Sequence, residues 1–206
     1  MTDLPLPRST FFDEAFAGVP VMGIFRGYDP EATVELCERA WDLGIRMVEV
    51  PVQDPSAFSS LRTAVAAGAE RGLPVGAGSV LSAAQVREVA VAGAAFAVSP
   101  GMLPEVAGAC GEHGLPYLPG VASATEIAQA LALGLGWLKV FPAAQLTPGW
   151  VRAQLAPFPD VSLVATGGVD AYNAQDFLAA GCRAVGVGSA LEDGAQLEQL
   201  ADLMRA

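Results

Sequence analysis

Short apolar runs recur along the chain, and six of them follow a glycine directly or within a few residues. The glycines are Gly44, Gly72, Gly93, Gly114, Gly134 and Gly181, spaced by 20 to 28 residues with one double step of 47. The runs are Met47-Val48-Glu49-Val50, Leu73-Pro74-Val75, Phe96-Ala97-Val98, Leu115-Pro116-Tyr117-Leu118, Trp137-Leu138-Lys139-Val140 and Ala184-Val185-Gly186-Val187. Two more, Val19 to Phe25 and Val161 to Ala165, bring the predicted strands to eight. A helix closed by glycine and followed by a buried strand is the grammar of βα units.

The segments between the runs read as helices. Val34, Cys37, Ala40, Trp41 and Gly44 form an apolar stripe at helical spacing, as do Val86, Val89, Ala90 and Gly93. Asp29-Pro30, Asp54-Pro55 and Thr147-Pro148 each put a capping side chain before a proline suited to the first helical position. Ser82 to Gln85 and Ser123 to Glu126 have the spacing of capping boxes. Arg8 to Ala17 predicts an extra N-terminal helix. Eight such units can close into a (β/α)8 barrel or spread into an open doubly wound sheet. The steady period, and the lack of a GxGxxG turn after the first strand, favour the α/β barrel as one domain over residues 1–206.

Composition narrows the function. The 206 residues suit one domain and are slightly short for an eight-fold barrel. Hydrophobic residues make up 52%, yet no run approaches the roughly 18 apolar residues of a membrane span. Met1 to Phe16 carries Asp3, Asp13 and Glu14 and lacks a basic region before a hydrophobic stretch, so a signal peptide is not expected and the cytoplasm is the expected location. A net charge of −11 argues against nucleic acid or an anionic membrane as partner, but leaves room for a small anionic substrate in a locally positive site. Cys37, Cys110 and Cys182 are widely spaced and read as buried thiols. The one histidine, His113, lies near a helix end. Neither set completes a metal site, and no metal or cofactor is expected. Of 11 basic residues ten are arginine, which leaves Lys139 as the only lysine.

In a barrel of this kind the chemistry sits at the C-terminal ends of the strands and in the following loops. Arg26 closes the first run after Gly23-Ile24-Phe25, and a guanidinium there calls for an anion: a substrate carboxylate or another barrel residue. Glu49 lies between Val48 and Val50, where a lumen carboxylate suits proton shuttling or serves as a structural partner for Arg26 or Lys139. Lys139 lies between Leu138 and Val140. Desolvation there favours the free amine, which can attack a carbonyl, although a salt bridge with Glu49 would also explain it. The last two strands end in Thr166-Gly167-Gly168 and Gly186-Val187-Gly188-Ser189, glycine-rich turns at the positions where barrels bind phosphate. Gly76-Ala77-Gly78-Ser79 offers small residues for a close substrate approach and a hydroxyl, Ser79, for a carboxylate or carbonyl oxygen. Ser99-Pro100-Gly101 and Pro119-Gly120 are expected to shape the pocket floor.

With these residues together, the chain resembles the 2-keto-3-deoxy-6-phosphogluconate and 4-hydroxy-2-oxoglutarate aldolase family from about Val21 to Leu191. The resemblance rests on Val48-Glu49-Val50, Gly76 to Leu81, Ser99-Pro100-Gly101, Leu138 to Pro142 and Thr166-Gly167-Gly168 in order and spacing. It implies a metal-free class I aldolase, commonly a homotrimer, that cleaves a 2-keto-3-deoxy acid to pyruvate and an aldehyde. Lys139 then matches the Schiff-base lysine and Glu49 the acid/base. Gly167, Gly168, Gly188 and Ser189 match the phosphate-binding loops, and Ser79 stands where many members have threonine. Gln53 occupies the place of an arginine that holds the pyruvyl carboxylate in phosphogluconate-specific members. Ile24-Phe25-Arg26-Gly27 and Val50-Pro51-Val52 look more like the phosphogalactonate branch, where Arg26 would hold that carboxylate or orient Glu49.

The expected reaction releases pyruvate and glyceraldehyde (3-phosphate) from a 2-keto-3-deoxy-(6-phospho)aldonate, or pyruvate and glyoxylate from 4-hydroxy-2-oxoglutarate. Two other readings stay open on the residues alone. One is a phosphate-binding isomerase or synthase with Glu49 as base and Lys139 as an electrostatic group. The other is a non-catalytic sugar-phosphate sensor.

Overall fold

The computed structural model describes residues 10–191 together with 193, 196, 197, 199 and 200. Its strands are β1 (Val21–Ile24), β2 (Met47–Pro51), β3 (Val75–Gly78), β4 (Ala97–Val98), β5 (Tyr117–Leu118), β6 (Gly120–Val121), β7 (Trp137–Val140), β8 (Ser162–Thr166) and β9 (Ala184–Val187). Its helices are α1 (Phe11–Ala15), α2 (Pro30–Asp42), α3 (Ala57–Arg71), α4 (Ala83–Val91), α5 (Pro104–Glu112), α6 (Ala124–Ala132), α7 (Ala143–Leu155) and α8 (Ala174–Ala179). The six glycines of the repeat all have positive φ, from 62° at Gly114 to 109° at Gly181, so each turns the chain out of its helix in the way the pattern predicts.

All strand pairings are parallel, in the order β5-β4-β3-β2-β1-β9-β8-β7-β6. The two ends of that order, β5 and β6, are one stretch of chain divided at Pro119. The expected fifth strand is thus two short strands, because proline has no N–H to continue the ladder. Closure survives the break. Leu118 O accepts from Ser99 N at 3.2 Å on one side, and Pro119 O accepts from Lys139 N at 2.8 Å on the other. The architecture is the (β/α)8 barrel, with eight staves built from nine strands.

Helix starts follow the capping residues with two corrections. Asp29 Oδ1 accepts from Ala32 N at 2.9 Å with Pro30 first in α2, and Ser82 and Ser123 cap α4 and α6. Asp54 instead holds the N–H groups of Ser56 and Ala57, and α3 starts two residues later than Asp54-Pro55 suggests. Thr147-Pro148 does not open α7. The first turn already forms at Ala143, and Thr147 breaks it at φ 70°, ψ 160° before Pro148, whose ring is incompatible with an unbroken turn. The N-terminal helix is shorter than predicted, with Arg8 and Ser9 outside the described residues.

Alternation along the strands sorts side chains into two cores. Val48, Val50, Leu138, Val140, Leu163, Ala165, Val185 and Val187 point outward into the layer covered by the helices. Met22, Met47, Phe96, Val98, Leu118, Trp137, Val164 and Ala184 fill the lumen with Phe12, Ala15 and Phe16 of α1. Helix α1 plugs the N-terminal end: Phe12 meets Phe96 edge-on at 5.8 Å, Phe16 stacks on Trp137 at 5.4 Å, and Trp137 Nε1 donates to Asp13 at 3.3 Å. Two residues further along β2, β7 and β8, on the same face, the lumen carries Glu49, Lys139 and Thr166.

Candidate active site

Glu49 follows Met47 on the lumen face of β2, and Lys139 follows Trp137 on that of β7. Both are buried, with Glu49 at 0% and Lys139 at 4% exposure. Lys139 Nζ lies 3.8 Å from Glu49 Oε1, longer than a charge-assisted hydrogen bond of about 2.7–2.9 Å. Neither Glu49 oxygen has a hydrogen-bond partner. Nζ also sits 5.2 Å from the centroid of the Phe141 ring, within reach of a cation–π contact. One buried amine and one buried carboxylate therefore face each other, unlocked, at the C-terminal end of an apolar lumen.

Other groups border this pair. Thr166, at the end of β8, is 1% exposed and its Oγ1 has no partner. A Cβ at Gly186 would lie 2.8 Å from Thr166 Cγ2, so the neighbouring stave must be bare there. Ser79 holds a left-handed backbone at φ 58°, a conformation that non-glycine residues rarely adopt. Ser99 Oγ donates to Val80 O at 2.5 Å and pins the turn that contains Ser79 to the end of β4. Gly167 and Gly168 have φ of 87° and 73°. Their carbonyls are taken by Ala144 N at 3.0 Å and Asn173 Nδ2 at 2.9 Å. Gly188 and Ser189 lead from β9 into a 3₁₀ turn, Ser189–Leu191.

The model of the family described as KDPG and KHG aldolase matches residues 12–205. The chain belongs to that family. It is 38% identical over 173 residues to "Probable 2-dehydro-3-deoxy-6-phosphogalactonate aldolase" of Rhizobium meliloti (strain 1021), covering 84% of this chain and 81% of the relative. It is 39% identical over 162 residues to "2-dehydro-3-deoxy-phosphogluconate aldolase" of Treponema pallidum (strain Nichols), covering 73% and 74%. A KDPG aldolase structure from Legionella pneumophila, with pyruvate captured at low pH as a covalent carbinolamine, superposes with a TM-score of 0.79 at 30% identity over 92% and 94% of the two chains. The protein is an aldolase, a carbon–carbon lyase.

In this aldolase the polar residues predicted for the site fall at the C-terminal ends of the strands or in the loops beyond them, and Glu49 and Lys139 meet directly. Arg26 differs in detail from the expectation. Strand β1 stops at Ile24, and Arg26 lies two residues beyond it, exposed, with no ion pair to another barrel residue among the described residues. Among those residues a structural ion pair does not account for it. The small residues of β3 also have different duties from those expected: Gly76 makes room for Phe96, and the space beside Gly78 is filled by the Glu49 carboxylate. Phe141 is a neighbour of Nζ to which sequence reasoning assigned no role, although its position two residues after Lys139 on the same run was a usable signal.

The cysteines are free and buried, and burial pushes each thiol up to about 12. A separate cavity of about 470 Å³ lies at the N-terminal end between α1 and the starts of β7 and β8, lined by Phe12, Asp13, Trp137 and Ser162. It is at the opposite end of the staves from Lys139. No helix among the described residues is long and apolar enough to cross a membrane.

Proposed function

We propose that the aldolase works through a Schiff base on Lys139, with Glu49 moving the protons, on a 2-keto-3-deoxy-(6-phospho)aldonate. The buried pair at 3.8 Å, with both Glu49 oxygens unpartnered, carries this reading. In an apolar lumen a proton passed from Nζ to Glu49 leaves two neutral groups and exposes the amine lone pair. Lys139 then attacks C2 of the keto acid, and Glu49 returns the proton to the leaving hydroxyl as water departs to give the iminium. The C3–C4 bond breaks as its electrons flow into the iminium, and Glu49, directly or through a water, takes the C4 hydroxyl proton to release the aldehyde. The enamine is protonated at C3 and hydrolysed, giving pyruvate and the free lysine. The covalent pyruvate carbinolamine in the Legionella relative supports the first of these steps.

Arg26, exposed beyond β1 and without an ion pair among the described residues, holds the substrate carboxylate or orients Glu49, and the Ser79 hydroxyl assists at the carboxylate or carbonyl oxygen. The unpartnered Thr166 hydroxyl donates to the substrate. Gly167, Gly168, Gly188 and Ser189 present backbone to a terminal phosphate. The same reading makes the enzyme a cytoplasmic homotrimer, to be checked by light scattering for three chains per particle. For the chemistry, borohydride reduction in the presence of pyruvate should trap a covalent adduct on Lys139. A peptide map with unmodified Lys139 refutes the Schiff base. A coupled pyruvate assay across phosphogluconate-, phosphogalactonate-, unphosphorylated and 4-hydroxy-2-oxoglutarate-type substrates then ranks the aldehyde partner.

A further inference from the structure

Gly78 ends β3 without the positive φ that would bar an L side chain, so its backbone could carry an alanine. Space forbids it. A Cβ there would stand 1.9 Å from Glu49 Oε1, 2.6 Å from Cδ and 2.8 Å from Cγ. The register explains why these atoms meet. Glu49 is paired with Gly76 and Pro51 with Gly78, so the glutamate side chain reaches along the sheet by one pleat toward the C-terminal end and lies against Gly78. Lys139 Nζ stands 3.8 Å from the same oxygen, and with 0% exposure the carboxylate has no solvent into which it can swing.

We infer that Gly78 is a positioning residue for the aldol chemistry, its missing side chain holding the Glu49 carboxylate at Lys139. This rests on the proton-transfer role of Glu49 proposed above. A methyl group at Gly78 displaces Oε1 by about 1.5 Å before ordinary contact is restored, and a misplacement of roughly 1 Å in a catalytic group costs about 100-fold in rate. Gly76, on the same strand and face, has a different task. Its Cβ would lie 2.3 Å from the Phe96 ring, so Gly76→Ala strains the apolar lumen without touching the carboxylate directly.

The test is a cycle of wild type, Gly78→Ala, Glu49→Ala and the double variant, read by kcat, KM and the rate of borohydride trapping with pyruvate. Gly78→Ala is expected to lower kcat about 100-fold with KM changed only a few-fold. In the Glu49→Ala background the same substitution should change kcat by less than about two-fold, since the group it displaces is gone. Wild-type kcat in Gly78→Ala, or an equal loss in both backgrounds, overturns the inference. Gly76→Ala serves as the control for strain, expected to lower the melting temperature and to lose the same factor with or without Glu49. Should Gly78→Ala fail to fold, the double variant should be as stable as Glu49→Ala alone, and a double variant less stable than Glu49→Ala refutes the steric argument. An unchanged kcat in Glu49→Ala alone is a distinct result, which refutes the role of Glu49 itself.

Discussion

Replacing Lys139 with methionine removes one half of a buried pair and leaves the other half in place. As an ion pair at 3.8 Å with an effective dielectric of about 20, the two groups attract by about 4 kcal/mol. That attraction offsets the desolvation of a fully buried carboxylate that no hydrogen bond supports. Lys139→Met should therefore cost about 3–5 kcal/mol of stability, the usual loss when a buried charge is orphaned. For a chain of this size that is a fall in melting temperature of roughly 6–20 °C. Adding Glu49→Leu to Lys139→Met removes the orphan, and the double variant should match or exceed wild type in stability while remaining inactive. Urea unfolding of the four proteins at one pH reads both effects. If Lys139→Met is as stable as wild type, or the double variant is no better than the single, the pair does not carry the electrostatic load assigned to it.

Four further outcomes are expected. Lys139→Arg keeps the charge but cannot form the imine, so both aldol activity and the borohydride adduct should be lost; surviving aldol activity would refute the imine on Lys139. Arg26→Ala should raise KM by roughly 10- to 100-fold, the value of one charge-assisted hydrogen bond, and leave the melting temperature nearly unchanged because Arg26 is exposed and makes no ion pair among the described residues. The thiols of Cys37, Cys110 and Cys182, pushed from 9.0 up to about 12, should resist iodoacetamide at pH 8 in the native protein and react on unfolding. Because their folded values are raised, the stability they contribute is complete below pH 9 and is lost as pH rises from 9 toward 12, visible as a falling urea midpoint over that window.

Much of the barrel was legible because its grammar is local. A glycine at 20- to 28-residue intervals marks a helix end by backbone geometry alone, and a β-branched run after it has few alternatives to a buried strand. Glu49 and Lys139 were legible for a related reason, each a charge inside an apolar run. Less local features were misread. Thr147-Pro148 has the chemistry of a helix start, yet the turn from Ala143 forms first and makes it a break. The run ending at Leu118 looks like one strand until the proline after it is asked to pair on both sides.

The sequence by itself determined the repeat, the alternation that puts Glu49 and Lys139 in the lumen, and the identity of the groups available for chemistry. Each depends on periodicity or residue type, which a linear chain carries in full. Tertiary structure decided the distances. Barrel closure across Pro119 brings β7 around to face β2, so that residues 90 positions apart stand 3.8 Å from each other. It also decided that the emptiness of Gly78 belongs to Glu49 and not to substrate, because an absent side chain has meaning only through the atoms that occupy its place.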